Sequence, residues 1–264
     1  MKQVKFKLQG VQSFLDGVVK NEKEIEMSGV SYEIDSLPFD VPVRHTVYGT
    51  LLNDRAAYDQ FLPHMKEKPY KEPPKHPILY MKPKNTWIST GTPIPLPEGE
   101  KELQMGASLG IVIGKTATKV TEQDALDYVL GYTIANDVTI PHDNFHRPAI
   151  KEKCRDGFLP IGPWIVSKES LSNPNQLTIQ VTVNGKVKGE YTTNHFIRSV
   201  EKLIADVTDF MTLYKGDVLL LGFPANPPLA KSHDLVTVTI EGVGTLENRM
   251  IPENEIFKGG GNVS

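Results

Sequence analysis

Apolar and polar residues alternate from the start of the chain. Val4, Phe6 and Leu8 against Lys5 and Lys7 predict a strand, and EIEMSGVSYEI at 24–34 predicts two more about a Ser28-Gly29 turn. These form a small N-terminal β unit, residues 1–42, that ends in the proline-broken SLPFDVPV. An extended segment from His45 to Leu52 opens a larger domain over 43–256. In it DRAAYDQFL predicts a short helix, followed by PHMKEKPYKEPPKHP, a loop long enough to act as a lid or binding loop. ILYMK (78–82) and ASLGIVIG (107–114) predict strands on either side of a Pro/Gly-rich loop. Thr121 to Asp124 resembles a capping box and predicts a helix as far as Leu130, after which GYTIANDV is a strand.

Leu177, Ile179, Val181 and Val183 alternate into Asn184-Gly185, the dipeptide of a two-residue type I′ hairpin. Phe196, Val200, Leu203, Ile204, Val207, Phe210 and Met211 fall on one face at helical spacing, which predicts a core-packing helix over 196–211. Lys215-Gly216-Asp217 turns into the buried strand VLLLG, and LVTVTIEGVG closes the fold with Val236, Val238 and Ile240 on one face. KGGGNVS ends the chain, and residues 257–264 are expected to be a flexible tail. The whole reads as a strand-rich α+β fold with peripheral helices.

Composition narrows the function classes. The chain has 264 residues, 29 Lys plus Arg against 32 Asp plus Glu and a formal net charge of −3, which argues against a polybasic nucleic-acid or membrane-surface binder. With 21 Gly and 20 Pro it is rich in turns and shaped loops. Its longest apolar runs fall far short of the ~18 residues that cross a membrane. One cysteine, Cys154, makes no internal disulfide, and MKQVKFKLQG lacks a signal-type apolar core, so a reducing cytoplasm is the expected location.

Nothing resembles a dinucleotide, P-loop or zincin motif. Lys151, Lys153 and Arg155 alternate with Glu152 and Cys154, so an extended backbone would turn three cations one way, a face suited to carboxylates. Cys154 reads as a packed thiol. Glu98, Glu100 and Glu102 share a spacing of two but lie beside Pro97 and Gly99, which points to a surface turn. His142, Asp143 and His146 could hold a softer metal, although a polar surface loop is the plainer reading.

Five stretches in a fixed order carry a resemblance: GIVIGKTATKVTEQDALDYVLGYTIANDV, RPAIKEKCRDGFLPIGPWIV, VNGKV, FMTLYKGDVLLLG and VTIEGVGTLEN. Over about residues 45–250 the chain resembles the fumarylacetoacetate hydrolase family. YKEPPK, MKPKNT and RPAIKEKCRDGF are similar to its isomerase/decarboxylase branch in 4-hydroxyphenylacetate (homoprotocatechuate) breakdown, specifically the N-terminal half or subunit. The resemblance implies mixed β-sheets rolled around a pocket. It implies an oxo or enol carboxylate chelated to Mg²⁺ or Mn²⁺, and a lysine that stabilises the enolate formed.

By the same resemblance, a metal carboxylate falls on Asp137, the catalytic lysine on Lys153, and a substrate-binding hydroxyl on Thr193, with Lys151 and Arg155 as further carboxylate binders. Departures from the pattern are as informative. The Glu-x-Glu metal pair falls on Gly106 and Ser108, the lid His and Glu on Ala57 and Gln60, an Arg-Asp on Pro141 and His142, and a threonine on Phe223. The activity implied is decarboxylation or isomerisation of 5-oxopent-3-ene-1,2,5-tricarboxylate or 2-hydroxyhepta-2,4-diene-1,7-dioate. The missing groups leave open a catalytically silent partner of an active paralogue, and acylpyruvate-type hydrolysis suits them least. A homodimer, or a hetero-oligomer with a paralogous C-terminal-type subunit, is the expected assembly.

Overall fold

The computed structural model describes residues 1–143 and 148–258. Among them thirteen strands make one large sheet and five make a second. The centre of the large sheet is the antiparallel pair Glu102–Ile113 and Val129–Thr139, in register from Gln104 opposite Thr139 to Val112 opposite Gly131. Both strands are buried on both faces, because two apolar clusters flank them. One holds Leu109, Ile111, Ile134 and Val138, and the other holds Val112, Ala135, Leu220 and Val47. Burial on both faces explains why 107–113 and 218–221 read as unbroken apolar runs and not as alternation.

On one side of this pair, Leu159–Ser167 joins the sheet and in turn pairs with Lys2–Leu8. The N-terminal β unit is therefore a meander, Lys2–Leu8, Leu15–Val19, Glu24–Met27 and Val30–Glu33, continuous with the large sheet. Its inward rings bind it to the rest: Phe6 lies 5.6 Å from Phe39, and Phe39 5.7 Å from Trp164, both edge to face. On the other side, Val218–Leu220, Val47–Leu51 and Ile78–Lys82 follow in order. The chain then crosses back, and Trp87–Ile88 pairs in parallel with Leu159–Ser167. That return curls the sheet, so that the end of its last strand meets strands from its middle.

The second sheet runs Lys186–Thr192, Thr178–Val183, Leu235–Ile240, Gly244–Pro252, Ile94–Leu96 and supplies the opposing layer. Val236, Val238 and Ile240 face inward as their alternation requires. Asn184 and Gly185 both take positive φ (51° and 73°), the I′ geometry expected of that hairpin.

Four α-helices flank the sheets among the described residues: α1 (Arg55–Met65), α2 (Ile150–Lys153), α3 (Val200–Phe210) and α4 (Glu253–Lys258). Three helical expectations are corrected. The capping box at Thr121 forms, with the Thr121 hydroxyl on Asp124 at 2.7 Å, but it opens only the 3-10 turn Ala125–Tyr128. The chain is drawn into the sheet at once, since the Tyr128 carbonyl already accepts from Gly114. The long helix starts at Val200 and not at Phe196. Ile197 and Arg198 bond to Asn53, holding that stretch extended, and Ser199 caps the helix through the Lys202 amide. Phe210, at the helix end, is exposed.

Because Phe6 is fully buried in a core shared across the Lys2–Leu8/Leu159–Ser167 pairing, Phe6→Ala is expected to cost about 3–5 kcal/mol. Urea denaturation followed by fluorescence and by circular dichroism should show one shifted transition. Two separated transitions would mean that residues 1–42 fold apart from the rest.

Candidate active site

At the junction made by the curled sheet lies a fully buried carboxylate, Asp137. Its strand neighbour across the ladder is Gly106. Lys82 Nζ lies 2.9 Å from Asp137 Oδ1 and Lys153 Nζ 3.2 Å from Oδ2, while the Tyr80 hydroxyl donates to Oδ2. Lys153 also donates to Thr139 Oγ1 at 2.8 Å. Its ammonium stands 4.9 Å from the centroid of the Tyr80 ring and 5.2 Å from that of Phe223, within cation–π range of both.

Local sequence explains how these groups meet. Tyr80 and Lys82 are two apart on one strand and so share its inward face, while Met81 between them is 60% exposed. A side chain at Gly49, opposite Tyr80 in the ladder, would overlap the tyrosine ring, so glycine there lets the ring lie flat across the neighbouring strand. Lys82 donates to the Lys153 carbonyl at 2.5 Å and the Val138 carbonyl at 3.4 Å. It therefore fastens both the carboxylate and the helical turn that carries Lys153.

Burial opposes the charge on Asp137, but Lys153, Lys82 and the Tyr80 hydroxyl outweigh it and hold the carboxyl below its ordinary 3.8. Burial, followed by the Asp137 charge, pushes the Tyr80 phenol well above 10.0, so it remains a donor. Burial lowers the Lys82 ammonium from 10.5 against the pull of Asp137. Burial likewise raises the Cys154 thiol above 9.0, and its Sγ lies 3.6 Å from the Met81 carbonyl, a packed thiol and not a nucleophile.

Of the residues singled out in the sequence, Asp137 and Lys153 come together. The three cations at 151–155 do not share a face, which corrects the extended reading. Ala149 and Ile150 carbonyls accept from Lys153 and Cys154 amides, making α2 a helical turn. Lys153 thus points inward, Lys151 outward, and Arg155 pairs with Glu253 at 3.1 Å. Thr193 is buried, and its hydroxyl is already committed to the Pro174 carbonyl and the Leu177 amide, both at 2.9 Å. Ala57 caps into Asp54 within α1 and Gln60 is exposed. Glu98 and Glu100 are exposed, Glu102 lies 4.0 Å from Lys231, and His146 falls outside the described residues.

Tyr80 and Lys82 were not singled out from the sequence. Their signal was the i, i+2 spacing in ILYMK, which commits a lysine to the same inward face as a tyrosine. A groove of about 350 Å³ between the 63–77 loop and α3 is lined by Lys75, His76, Arg198 and Asp206. Its Arg198 pairs with Asp206 at 2.8 Å, and it does not reach the Asp137 cluster.

A divalent metal does not fit these residues. A Cβ at Gly106 would lie 2.8 Å from the Phe223 ring and 2.7 Å from the Asp137 carbonyl, and the Ser108 hydroxyl is bonded to the Gly222 amide at 3.0 Å. Both Asp137 oxygens face ammonium groups, whereas Mg²⁺ needs free hard oxygen donors in near-octahedral array. Among the described residues no three of His, Cys, Asp or Glu converge as a metal site, and no helix is long and apolar enough to cross a membrane.

Residues 46–251 match the fumarylacetoacetate (FAA) hydrolase C-terminal family. Over 214 residues the chain is 42% identical to the 4-hydroxyphenylacetate degradation bifunctional isomerase/decarboxylase of Escherichia coli, covering 81% of this chain and 49% of that protein. It spans about half the length of that relative. The solved 5-carboxymethyl-2-hydroxymuconate delta-isomerase of Mycobacterium smegmatis superposes with a TM-score of 0.77 at 26% identity, over 96% of this chain and 99% of that one. The maleylpyruvate hydrolase of Sphingobium sp. SYK-6, in complex with manganese(II) and pyruvate, shares the fold with a TM-score of 0.74 at 20% identity, over 96% and 99% of the two chains.

The depressed Asp137 value sets a pH window. Its contribution to stability is complete above 3.8 and is lost as pH falls through the lower folded value. Urea midpoints of the wild type should therefore fall on acidification below pH 3.8 with a component that Asp137→Asn lacks. Identical acid profiles for the two would contradict the ion-paired state. Lys82→Met, which strips one partner from a buried pair, is expected to cost about 3–5 kcal/mol.

Proposed function

The chain belongs to the fumarylacetoacetate hydrolase family, and on that premise we propose that it is a decarboxylase/isomerase of oxo and enol carboxylates in 4-hydroxyphenylacetate breakdown. The proposed substrates are 5-oxopent-3-ene-1,2,5-tricarboxylate and the 2-hydroxyhepta-2,4-diene-1,7-dioate that it yields. The relative of known role at 42% identity supports the pathway. One observation carries the chemistry: an ammonium, Lys153, oriented by Asp137 and Thr139 between two aromatic rings.

In this reading the carbonyl adjacent to the departing carboxylate hydrogen-bonds to Lys153. The C–C bond to the carboxylate breaks, its electron pair enters the conjugated carbonyl system as a dienolate, and carbon dioxide leaves. Positive charge fixed in a low-dielectric site favours that developing oxyanion without solvent reorganisation. Lys153 then returns a proton to the oxygen or to the chain carbon, which gives the enol or its isomer. Tyr80, kept protonated, holds Asp137 in place, and Lys82 holds the turn. Lys151 and Thr193 take no part, and the pairing of Arg155 with Glu253 leaves it a peripheral role. Hydrolysis of acylpyruvate type would need a metal-activated water that this site does not accommodate.

A second reading has its own support. The Lys153 side chain is only 9% exposed, its ammonium is fully engaged, and Ala57, Gln60, Gly106 and Ser108 stand where proton carriers and metal ligands would be required. A chain of this kind would serve as a silent partner that completes an active paralogue, and the half-length match agrees with such a pairing. Lys153→Ala is expected to lower turnover of the tricarboxylate, followed by ultraviolet absorbance, by about 10²–10³-fold with the melting temperature kept. Full activity in that variant would sink the enzymatic reading. An inactive but folded wild type that co-purifies with a co-expressed paralogue would establish the silent one.

A further inference from the structure

We infer that this chain carries its cation internally. The Lys82 and Lys153 ammonium groups take both oxygens of the only carboxylate left at the position the family resemblance gives to a divalent ion, and Phe223 closes the place of a missing ligand. The site accepts an oxo-carboxylate anion without any metal.

Charge comes first. Two ammonium groups and one carboxylate leave the buried cluster with one net positive charge. An incoming dication would meet repulsion from both lysines, and would have to displace each from an Asp137 oxygen. An anion meets the opposite field, strengthened by burial.

Geometry points the same way. The ladder position opposite Asp137 offers no oxygen, because it is Gly106, and the Phe223 ring stands within 2.8 Å of where its side chain would begin. The faces of Phe223 and Tyr80 are turned to Lys153 at 5.2 and 4.9 Å. An aromatic face accepts an ammonium but supplies no donor to a strongly hydrated dication. Lys82 completes the exchange, since its side chain is wholly buried and exists there only as the partner of Asp137 and of the Lys153 and Val138 carbonyls.

The metal half of this inference stands without the proposed reaction, whereas the anion half rests on it, and two probes separate them. The full-length chain, stripped with chelator and desalted, is titrated with Mn²⁺ and followed by the electron paramagnetic resonance of the free ion. Separately, oxalate, a compact mimic of an enolised oxo acid, is titrated calorimetrically in chelator. No stoichiometric Mn²⁺ uptake is expected. Oxalate is expected to bind, with affinity reduced about tenfold or more in Lys153→Met and restored in part in Lys153→Arg. Circular dichroism melts establish that each variant is folded, and Lys153→Gln replaces the methionine variant if that one is not. One Mn²⁺ per chain, lost in Asp137→Asn, would overturn the internal cation. Absence of both Mn²⁺ and oxalate binding would overturn the anion half and the enzymatic reading with it, and leave metal exclusion standing.

Discussion

Everything at the centre of this protein depends on keeping Asp137 charged in a place without water. An isolated carboxylate there would be driven to its neutral form. It stays ionised because two lysines and a phenol reach it from two separate segments, and those segments reach it only because the large sheet curls. The strand Ile78–Lys82 belongs to one edge, yet the chain that leaves it pairs with Leu159–Ser167 near the middle. The ion cluster and the roll therefore specify each other. A flatter sheet would strand Lys82 from its partners, and an apolar residue at 82 would remove the clasp between the Val138 and Lys153 carbonyls.

Small and large residues are exchanged around the cluster in a way that follows from its charge. Gly49 makes room for the ring of Tyr80, and Gly106 for that of Phe223. Two π faces thereby line a lysine, which desolvates its ammonium while still supplying electron density. A carboxylate could have supplied that density more strongly, but would have cancelled the positive charge that an oxo acid requires.

Much of the fold was legible because the strongest patterns were local. The 177–183 alternation with Asn184-Gly185 fixed a hairpin, and VLLLG and ASLGIVIG fixed strands buried on both faces. What was not legible was non-local. The capping box at Thr121 is real, but a bond from Gly114 to the Tyr128 carbonyl ends the helix before it forms. Phe196 has the right spacing for a helix, but Asn53, far away in sequence, holds its neighbours extended. In the site, Asp137 and Lys153 were found through family resemblance. Lys151 and Arg155 were misplaced by assuming a strand where one helical turn exists, and Lys82 was passed over because a lysine in a short strand normally belongs to the surface.

The contact between Phe223 and Gly106 also constrains how this chain can change. An acidic side chain could not return to position 106 while the aromatic ring and the Asp137 carbonyl stand where they do. Shrinking Phe223 alone would leave Lys153 uncovered, with nothing gained in its place. The two positions are thus epistatic, each lowering the worth of a reversion at the other. A lineage that has made both substitutions sits behind a ratchet, and its descendants are left to refine a lysine-centred site and not to recover an older one.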